Sequence, residues 1–357
     1  MSKILGVDLG TMFFQTAEES SGGNVSIKTM RNAFVEIAAT DDIEDILKQN
    51  SWQYVKDGKH YYVLGEDSLR VANMFPGKVE LRRPLQDGVL NKGEEKKMLV
   101  LSEMIKNAIG KAPDKTSVVC TCVSSPSVDD SPDSAFHKAR ISGMLQQLGY
   151  NVKVIEEGHA VVLGERPSIT EIVDGKEVER PYSGIGISFG AGRVNCVLAY
   201  KGLQVLGMSA ARSGDWIDQK VSEATGAPIS QVTKKKEVEL DFGNLKDDDD
   251  IIFALNAYYT SMIEFVFSKF SSHFQKVKSQ FEAPLEVVVA GGTSMPKGFC
   301  DKVSEVISSL ELPFVIKSVR HAKDPRNAVV KGCLTYAASA YRKMQQSKDD
   351  TVAKSME

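Results

Sequence analysis

The sequence contains little cysteine, and its cysteines do not form the pattern of a disulfide framework or a zinc site. Five cysteines occur among 357 residues, and they stand singly or within apolar runs. The one close pair, Cys120 and Cys122, falls in a predicted strand, where alternate residues share a face and the turn of a zinc knuckle is missing. We therefore expect the cysteines to be structural thiols.

The chain also lacks an excess of charge and a long hydrophobic run. Lysine and arginine number 44 against 47 aspartate and glutamate residues, so no broad basic field exists to attract nucleic acid. No apolar run approaches the roughly twenty residues that cross a bilayer, and residues 1–3 lead into a strand without a signal-peptide pattern. We expect a cytoplasmic protein with no membrane segment and no nucleic-acid partner.

What is present is the composition of a soluble globular protein. Hydrophobic residues make up 42% and charged residues 25% of the chain, and its length suits two domains. Strand and helix patterns alternate, which predicts an α/β fold. The predicted strands are 4–9, 118–123, 152–155, 182–189, 194–200 and 286–290, and the predicted helices are 96–109, 134–148, 251–275 and 328–345.

Turn and end signals complete this prediction. Asp57-Gly58 between two strand-like runs predicts a hairpin with a type I′ turn. Pro296 is predicted to open a helix, and the acidic run 247–250 to begin one, where the helix dipole favours negative charge. The polar residues 346–357 are expected to form a frayed tail.

Three glycine-rich turns are candidates for binding the phosphates of a nucleotide, because only glycine lets backbone amides approach so closely. The first, 6–11, contains Asp8, whose carboxylate could hold magnesium-bound water. The second is 188–193. The third, 291–298, follows a buried strand and could seat an adenosine and its α-phosphate. None fits the P-loop or dinucleotide spacing; a plain hairpin explains either of the first two alone, and the occurrence of all three favours a nucleotide.

With these turns in this order, the chain resembles the actin-like ATPase superfamily over nearly its whole length. Residues 6–11 are similar to its first phosphate loop, and 291–298 to its adenosine motif. Residues 119–157 and 324–337 are similar to its two connecting motifs. Two further stretches, Leu64–Val89 and Gly214–Asp218, are most similar to the bacterial filament protein MreB, a relative of MamK.

The resemblance implies an α/β fold with two domains, built as a duplicated ribonuclease H-like fold with four subdomains and a nucleotide cleft. Domain I would comprise 1–165 plus 325–357, with subdomain IB at about 33–80. Domain II would comprise 166–324, with subdomain IIB at about 206–280. The implied cofactors are ATP or ADP and Mg²⁺.

The resemblance also implies roles for individual residues. Asp8 would serve the metal, and Glu157 would position the attacking water, with Glu156 as the fallback and helix capping as the structural alternative for Glu157. Lys236 would lie near the helix that contacts adenine and ribose, but it belongs to a lysine run that is more often a solvated helix face. The implied nucleotide-binding residues are Gly10, Thr11, Met12, Gly190, Ala191, Gly192, Arg193, Gly214, Asp215, Lys236, Gly291, Gly292, Thr293 and Met295.

The second phosphate loop departs from the family pattern. The family begins this loop with an aspartate that holds magnesium-bound water and usually places threonine after the last glycine, whereas this chain has Ser188 and Arg193. The local charge therefore changes by up to two units, and we expect slow ATP hydrolysis. Arg193 either clamps phosphate or points outward from the strand, the orientation that we favour.

Three functions remain open at this stage. The first is a bacterial actin-like protein that binds ATP and polymerises head to tail, with itself as partner and an unidentified adaptor or cargo. The second, favoured by Ser188, is a non-polymerising nucleotide-binding scaffold or a chaperone-like ATPase. The third is a small-molecule kinase with Asp215 or Asp218 as base, which the MreB-like stretches disfavour.

Overall fold

The computed structural model describes residues 2–20, 23–75, 77–90, 95–165, 169–180, 182–246, 248–275 and 284–354. Its elements in chain order are β1 (Ile4–Leu9), β2 (Phe13–Glu19), β3 (Val25–Arg31), β4 (Phe34–Ala38), α1 (Asp41–Gln49), β5 (Tyr54–Asp57), β6 (His60–Leu64), α2 (Gly65–Met74), α3 (Glu95–Ile109), β7 (Val118–Val123), α4 (Ala135–Gln147), β8 (Asn151–Glu156), α5 (Glu157–Gly164), β9 (Ile169–Val173), β10 (Lys176–Arg180), β11 (Gly184–Phe189), β12 (Val194–Tyr200), β13 (Leu203–Ala210), α6 (Gly214–Thr225), α7 (Ile229–Val238), α8 (Asp250–Phe274), β14 (Leu285–Ala290), α9 (Phe299–Ser308), β15 (Ile316–His321) and α10 (Ala328–Lys354).

The chain divides into two units. Unit 1 comprises Met1–Thr121, Ser134–Val154 and Tyr336–Glu357, and unit 2 comprises Cys122–Asp133 and Ile155–Thr335. Residues 122–133, 155–165 and 325–335, predicted for domain I, thus group with unit 2. The cause is close helix packing, since α5 lies against β11 and β12 and a Cβ at Gly332 would stand 1.8 Å from the carbonyl oxygen of Ala160.

Two five-stranded sheets have the same topology. The first has the order β3-β2-β1-β7-β8, and the second has the order β13-β12-β11-β14-β15. In each sheet an antiparallel hairpin is followed by a parallel strand, with β1 pairing β2 and β7, and β11 pairing β12 and β14. The first two glycine turns, 6–11 and 188–193, therefore lie at equivalent places of a repeated sheet.

Smaller sheets supplement this repeat. Strands β4, β6 and β5 form a three-stranded sheet, and β9 pairs with β10 alone. The β5–β6 hairpin occurs where it was predicted, but its turn residues are Gly58 and Lys59, of which only Gly58 has a positive φ, 57°. The type I′ prediction is therefore wrong here, because that turn needs a positive φ at both central residues. Asp174 and Gly175 meet this requirement, with φ of 52° and 76°.

Each unit has its own hydrophobic core. In unit 1 the core lies between the first sheet and helices α3 and α4, around Val7, Leu101 and Ile141. In unit 2 it gathers β11, β12, β14 and helices α6 to α9. Helix α8 is long and apolar enough to span a membrane, contrary to the expected absence of such a run, but its buried residues form part of the unit 2 core.

Of three predicted helix ends, one agrees with the structure and two differ from it. Helix α9 begins at Phe299, not at Pro296, because Gly298 has a φ of 76°. Helix α10 continues to Lys354, so the predicted frayed tail from residue 346 is wrong over most of its length. Asp249 caps α8, as the acidic run predicts, whereas Asp247 lies outside the described residues. None of the five cysteines, all of which lie in the described residues, forms a disulfide bond, and Cys120 and Cys122 are buried in β7.

Candidate functional site

The second glycine turn, 190–193, joins β11 to β12 and closes on itself. The amide of Gly190 donates to the carbonyl of Arg193 at 2.9 Å, and a Cβ at Gly190 would stand 2.7 Å from that oxygen. Only glycine permits this closure. Within the described part of the chain, the amides of Ala191 and Gly192 have no assigned acceptor. The turn therefore presents donors of the kind that bind phosphate oxygen atoms.

The carbonyl groups of this turn are held from the other side. The Gly190 oxygen accepts hydrogen bonds from the amide of Gly214 at 3.1 Å and the hydroxyl of Thr293 at 2.8 Å. The Ala191 oxygen accepts from the amide of Asp215 at 2.8 Å and from the hydroxyl of Ser213. Because α6 begins at Gly214, its first amides fix the turn.

The third glycine loop follows β14 and lies against the second turn. Gly291 has a φ of 93°, and a Cβ there would stand 2.3 Å from the carbonyl oxygen of Phe189. Gly292 and Thr293 then form a short 3₁₀ turn that ends at Met295, whose amide donates to the Gly292 oxygen at 3.3 Å. A Cβ at Gly292 would meet nothing within 4 Å, so this position has room for a ligand.

Gly214 is the point where these segments meet. A Cβ at Gly214 would stand 2.4 Å from the hydroxyl oxygen of Thr293 and 3.4 Å from the Cα of Ala191. The ammonium group of Lys236 donates to the Gly214 carbonyl at 3.0 Å. The structure thus gathers the second turn, the start of α6, Lys236 and the third loop into one cluster, which we call the unit 2 glycine cluster.

Lys236 is a buried member of this cluster. Its side chain, 8% exposed, forms an ion pair of 2.8 Å with Asp218, which is 5% exposed. Thr233 donates to the other Asp218 oxygen at 2.8 Å. Burial raises the pKa of Asp218, and the Lys236 charge opposes this shift. A solvated face describes Lys234, which is exposed, but not Lys236.

The two glutamates at the start of α5 make different contacts. Glu157 accepts from the Ser188 hydroxyl at 2.6 Å and from the Asn195 side-chain amide at 2.9 Å, one donor on each oxygen. Glu156 accepts from the hydroxyl of Ser125 and makes no side-chain cap bond. The carboxylate of Glu157 is therefore tied to both strands that flank the second glycine turn.

Arg193 is buried instead of pointing outward, so the favoured orientation is wrong. Its residue exposure is 3%, and its guanidinium donates to the Ser209 hydroxyl at 3.0 Å and to the Pro132 carbonyl. A buried guanidinium needs acceptors, and residues distant in the sequence supply them. The Ser209 hydroxyl in turn donates to the Ser125 carbonyl at 2.7 Å.

The first glycine turn lies in unit 1, between β1 and β2. A Cβ at Gly10 would stand 2.8 Å from the Phe13 carbonyl oxygen and 3.9 Å from an oxygen of Asp8, so the Asp8 carboxylate lies beside the turn. The side-chain amide of Asn32 donates to the Gly10 carbonyl at 2.8 Å, and its backbone amide donates to Met12 at 2.9 Å. Thr11 is buried.

Sequence reasoning missed Asn32, Ser213, Ser125 and Asn195. Each is a small polar residue whose role depends on a partner far along the chain, and no spacing rule marks such pairs. A weak signal existed for Asn195, because it faces Ser188 directly across the β11–β12 hairpin.

The fit of the implied cofactors can be judged from these contacts. In the described parts of both units, no group of three or more His, Cys, Asp or Glu side chains forms a metal cage. Magnesium retains most of its waters and needs only one or two carboxylates, and Asp8 provides a carboxylate beside the first turn. The amides of the second turn, which have no acceptor among the described residues, and the open space at Gly292 fit a phosphorylated ligand.

Comparisons with known proteins agree with this architecture. The family model described as Volactin matches residues 1–337. The structure of a MamK double helical filament is similar to the chain, with a TM-score of 0.67 and 20% identity over 95% of this chain and 99% of that one. The structure of MreB 5 of Spiroplasma citri bound to AMPPNP is also similar, with a TM-score of 0.65 and 14% identity over 97% of this chain and 99% of that one. No curated protein matches the chain. The predicted actin-like ATPase fold is confirmed.

Proposed function

The chain belongs to the Volactin family and has the actin-like ATPase fold, and from these premises we propose that it binds ATP and assembles head to tail into cytoplasmic filaments. The observation that carries the proposal is the unit 2 glycine cluster. There, the carbonyl groups of the second turn are bonded to protein, whereas the amides of Ala191 and Gly192 are left for a ligand.

Each part of the proposed nucleotide site has a chemical task. The amides of the second turn donate to phosphate oxygen atoms, and the open face at Gly292 receives the adenosine. Taken by itself, unit 1 offers Asp8, which would hold waters of Mg²⁺, and Thr11, whose hydroxyl would donate to phosphate. When bound, Mg²⁺ neutralises charge on the phosphates.

Glu157 is the residue that we propose for hydrolysis. A carboxylate orients a water molecule by accepting its hydrogen atoms, and Glu157 stands within hydrogen-bond distance of Ser188 on the strand that leads into the second turn. Glu156 is the fallback candidate, since its carboxylate accepts from Ser125, which lies outside the hairpin that carries the second turn. The family pattern by itself implies slow turnover, because Ser188 stands where the family has an aspartate that would hold magnesium-bound water.

The proposed assembly joins copies of this chain head to tail. The MamK structure is that of a double helical filament, which supports a second copy of this chain as the partner. Contacts that do not close a ring generate filaments. An adaptor or cargo protein is also expected, whereas nucleic acid is not, because the net charge of −3 provides no basic field.

The test combines binding, assembly and turnover on the full chain. With ATP and Mg²⁺, calorimetry should detect heat, and sedimentation with negative-stain microscopy should show polymer. Glu157→Gln should keep nucleotide binding and lower phosphate release about a hundredfold or more, whereas Glu19→Gln, on an exposed position of β2, should match the parent. Absence of binding heat would refute the nucleotide site.

A non-polymerising nucleotide-binding scaffold is the second candidate. The hydrogen bond from Ser188 to Glu157 favours it, because a hydroxyl occupies the place where the family has a metal-binding aspartate. Nucleotide binding with a uniformly soluble monomer at high concentration would select this candidate over the filament.

A further inference from the structure

Two neutral side chains donate hydrogen bonds to the Glu157 carboxylate, and both belong to the second hairpin. Ser188 on β11 donates to one carboxylate oxygen at 2.6 Å, and Asn195 on β12 donates to the other at 2.9 Å. Ser188 is 2% exposed and Asn195 is fully buried. The two donors face each other across the hairpin, so they approach the carboxylate from neighbouring strands.

Asn195 is itself held in a fixed orientation. Its side-chain oxygen accepts a hydrogen bond from the backbone amide of Ser125 at 3.2 Å, which leaves the amide nitrogen to face Glu157. An amide side chain that both accepts and donates in this way cannot be reversed without losing both bonds. The orientation of Glu157 is therefore set by a chain of contacts that ends on backbone.

We propose that Ser188 and Asn195 are positioning residues that lock the Glu157 carboxylate in a single orientation, and that serine occupies position 188 as a donor to this carboxylate. The structural part of this proposal stands on the contacts alone. Its consequence for hydrolysis rests on the proposed function, in which Glu157 orients the attacking water.

The proposal reverses the expected effect of restoring the family's aspartate. Aspartate at position 188 would place a second carboxylate at about the distance where Ser188 now donates, and like charges so close cannot both ionise readily. Ser188→Asp should therefore disturb Glu157 and slow hydrolysis, whereas a purely metal-binding role for this position predicts faster hydrolysis.

Helix α5 packs against β11, β12 and β14, and against α10, where a Cβ at Gly332 would meet the Ala160 carbonyl. On α10, Lys331 is paired with Asp324. Strands β11 and β12 contain no Asp, Glu, Lys or Arg, and Glu286 on β14 is paired with Arg320. Glu156 is the adjacent acid, and its carboxylate accepts from Ser125. Removing a neutral donor should thus be visible in the titration of Glu157.

The decisive experiment is carbon-13 NMR titration of the full chain labelled at glutamate carboxyl carbons, with Glu157 assigned from Glu157→Gln. Loss of a hydrogen bond to the charged form raises a carboxyl pKa. We expect the pH midpoint of the Glu157 titration to be about one pH unit higher in Ser188→Ala than in the parent, and to be raised similarly in Asn195→Ala. In Ser188→Thr, which keeps the hydroxyl, the midpoint should equal the parent value. The exposed Ser304→Ala is the matched control.

Phosphate release provides the second measurement. Ser188→Ala should lower kcat about tenfold without changing the affinity for ATP, and Ser188→Asp should lower it further. An unchanged midpoint in Ser188→Ala, or Ser188→Asp turnover equal to or above the parent, overturns the proposal. If the parent binds no ATP, the proposed function fails, and the titration alone still decides whether the grip on Glu157 exists.

Discussion

The two five-stranded sheets share a strand order but support their glycine turns in different ways. By position in the repeated hairpin, Gly10 corresponds to Gly190, and a Cβ at either would clash with the carbonyl oxygen three residues later, at 2.8 Å and 2.7 Å respectively. In the first turn, the side chain of Asn32 donates to the Gly10 carbonyl. The second turn is held by the start of α6 and by Thr293.

The side chains at equivalent positions have diverged more than the backbone. The first hairpin carries Asp8, whereas the second carries Ser188 at the same place. The residue opposite is Gln15 in one hairpin and Asn195 in the other. The comparison teaches that close backbone approach constrains both turns alike, while the charge beside each turn is free to change.

Breaking the buried ion pair between Lys236 and Asp218 in unit 2 should have the largest effect on stability. The two turns differ in this respect, because among the residues described the first turn has no such ion pair. Lys236→Met leaves the Asp218 charge buried without its partner, and we expect a loss of about 3–5 kcal/mol in unfolding free energy. Urea denaturation measures this loss, with the exposed Lys234→Met as control.

A second variant makes this prediction sharper. Replacing both partners, as in Lys236→Met with Asp218→Leu, removes the buried charge and should recover much of the stability. If Lys236→Met alone unfolds like the parent, the ion pair does not support the turn.

The next largest effect concerns the strand ends. Gly6 pairs with Cys120 in the first sheet, and Gly186 pairs with Val288 in the second. Three residues after these partners come Val123 and Gly291, which therefore occupy equivalent positions. Gly291→Ala puts a Cβ against the Phe189 carbonyl at a φ of 93°, and we expect a loss of about 2–4 kcal/mol in urea unfolding.

Gly292→Ala is the matched control for this position. Its Cβ would meet open space, so stability should change by no more than about 0.5 kcal/mol, while ATP affinity, measured by calorimetry, should fall. Equal destabilisation by the two variants would show that crowding at Phe189 is not the cause.

Removing one supporting side chain from each turn should lower stability by a smaller amount, and by different amounts for the two hairpins. Asn32→Ala leaves the Gly10 carbonyl without its side-chain donor, which should cost about 1–3 kcal/mol. Ser213→Ala should cost less than about 1 kcal/mol, because the Asp215 amide still donates to Ala191. Thermal unfolding of the two variants in parallel checks the order, and the reverse order would contradict the account of the braces.

The smallest effect concerns the metal. Asp8→Ser gives both hairpins the same residue, and loss of the carboxylate beside the first turn should raise the Mg²⁺ concentration needed for ATP binding about tenfold. Calorimetry over a magnesium series measures this, with ATP affinity in EDTA as the reference. An unchanged magnesium requirement would remove Asp8 from the metal site.

Much of the fold could be predicted because its signals are local. Strand β12 was predicted with its observed bounds, 194–200, since a run of apolar and β-branched residues between turn residues is typical of a buried strand. The end of α10 was missed because residues 346–354 are polar but contain no glycine or proline to stop a helix. The start of α9 depended on the backbone angle of Gly298.

The candidate site was predictable only in its backbone part. The glycines at 10, 190 and 291 lie at close backbone approaches that leave no room for a Cβ, and a sequence shows glycine directly. The orientation of Arg193 and the burial of Lys236 were predicted wrongly, because the partners that allow a charge to be buried lie far along the chain, at Pro132 for one and Asp218 for the other.

The sequence by itself determined the alternation of strands and helices and the places where the backbone turns tightly, because hydrophobic period and glycine freedom act over a few residues. Only the tertiary structure decided which side chains hold Glu157 and which hold the second turn. Those contacts join residues that the chain brings together only after both strands and α5 have packed, and the free energy of a buried polar group depends on such partners.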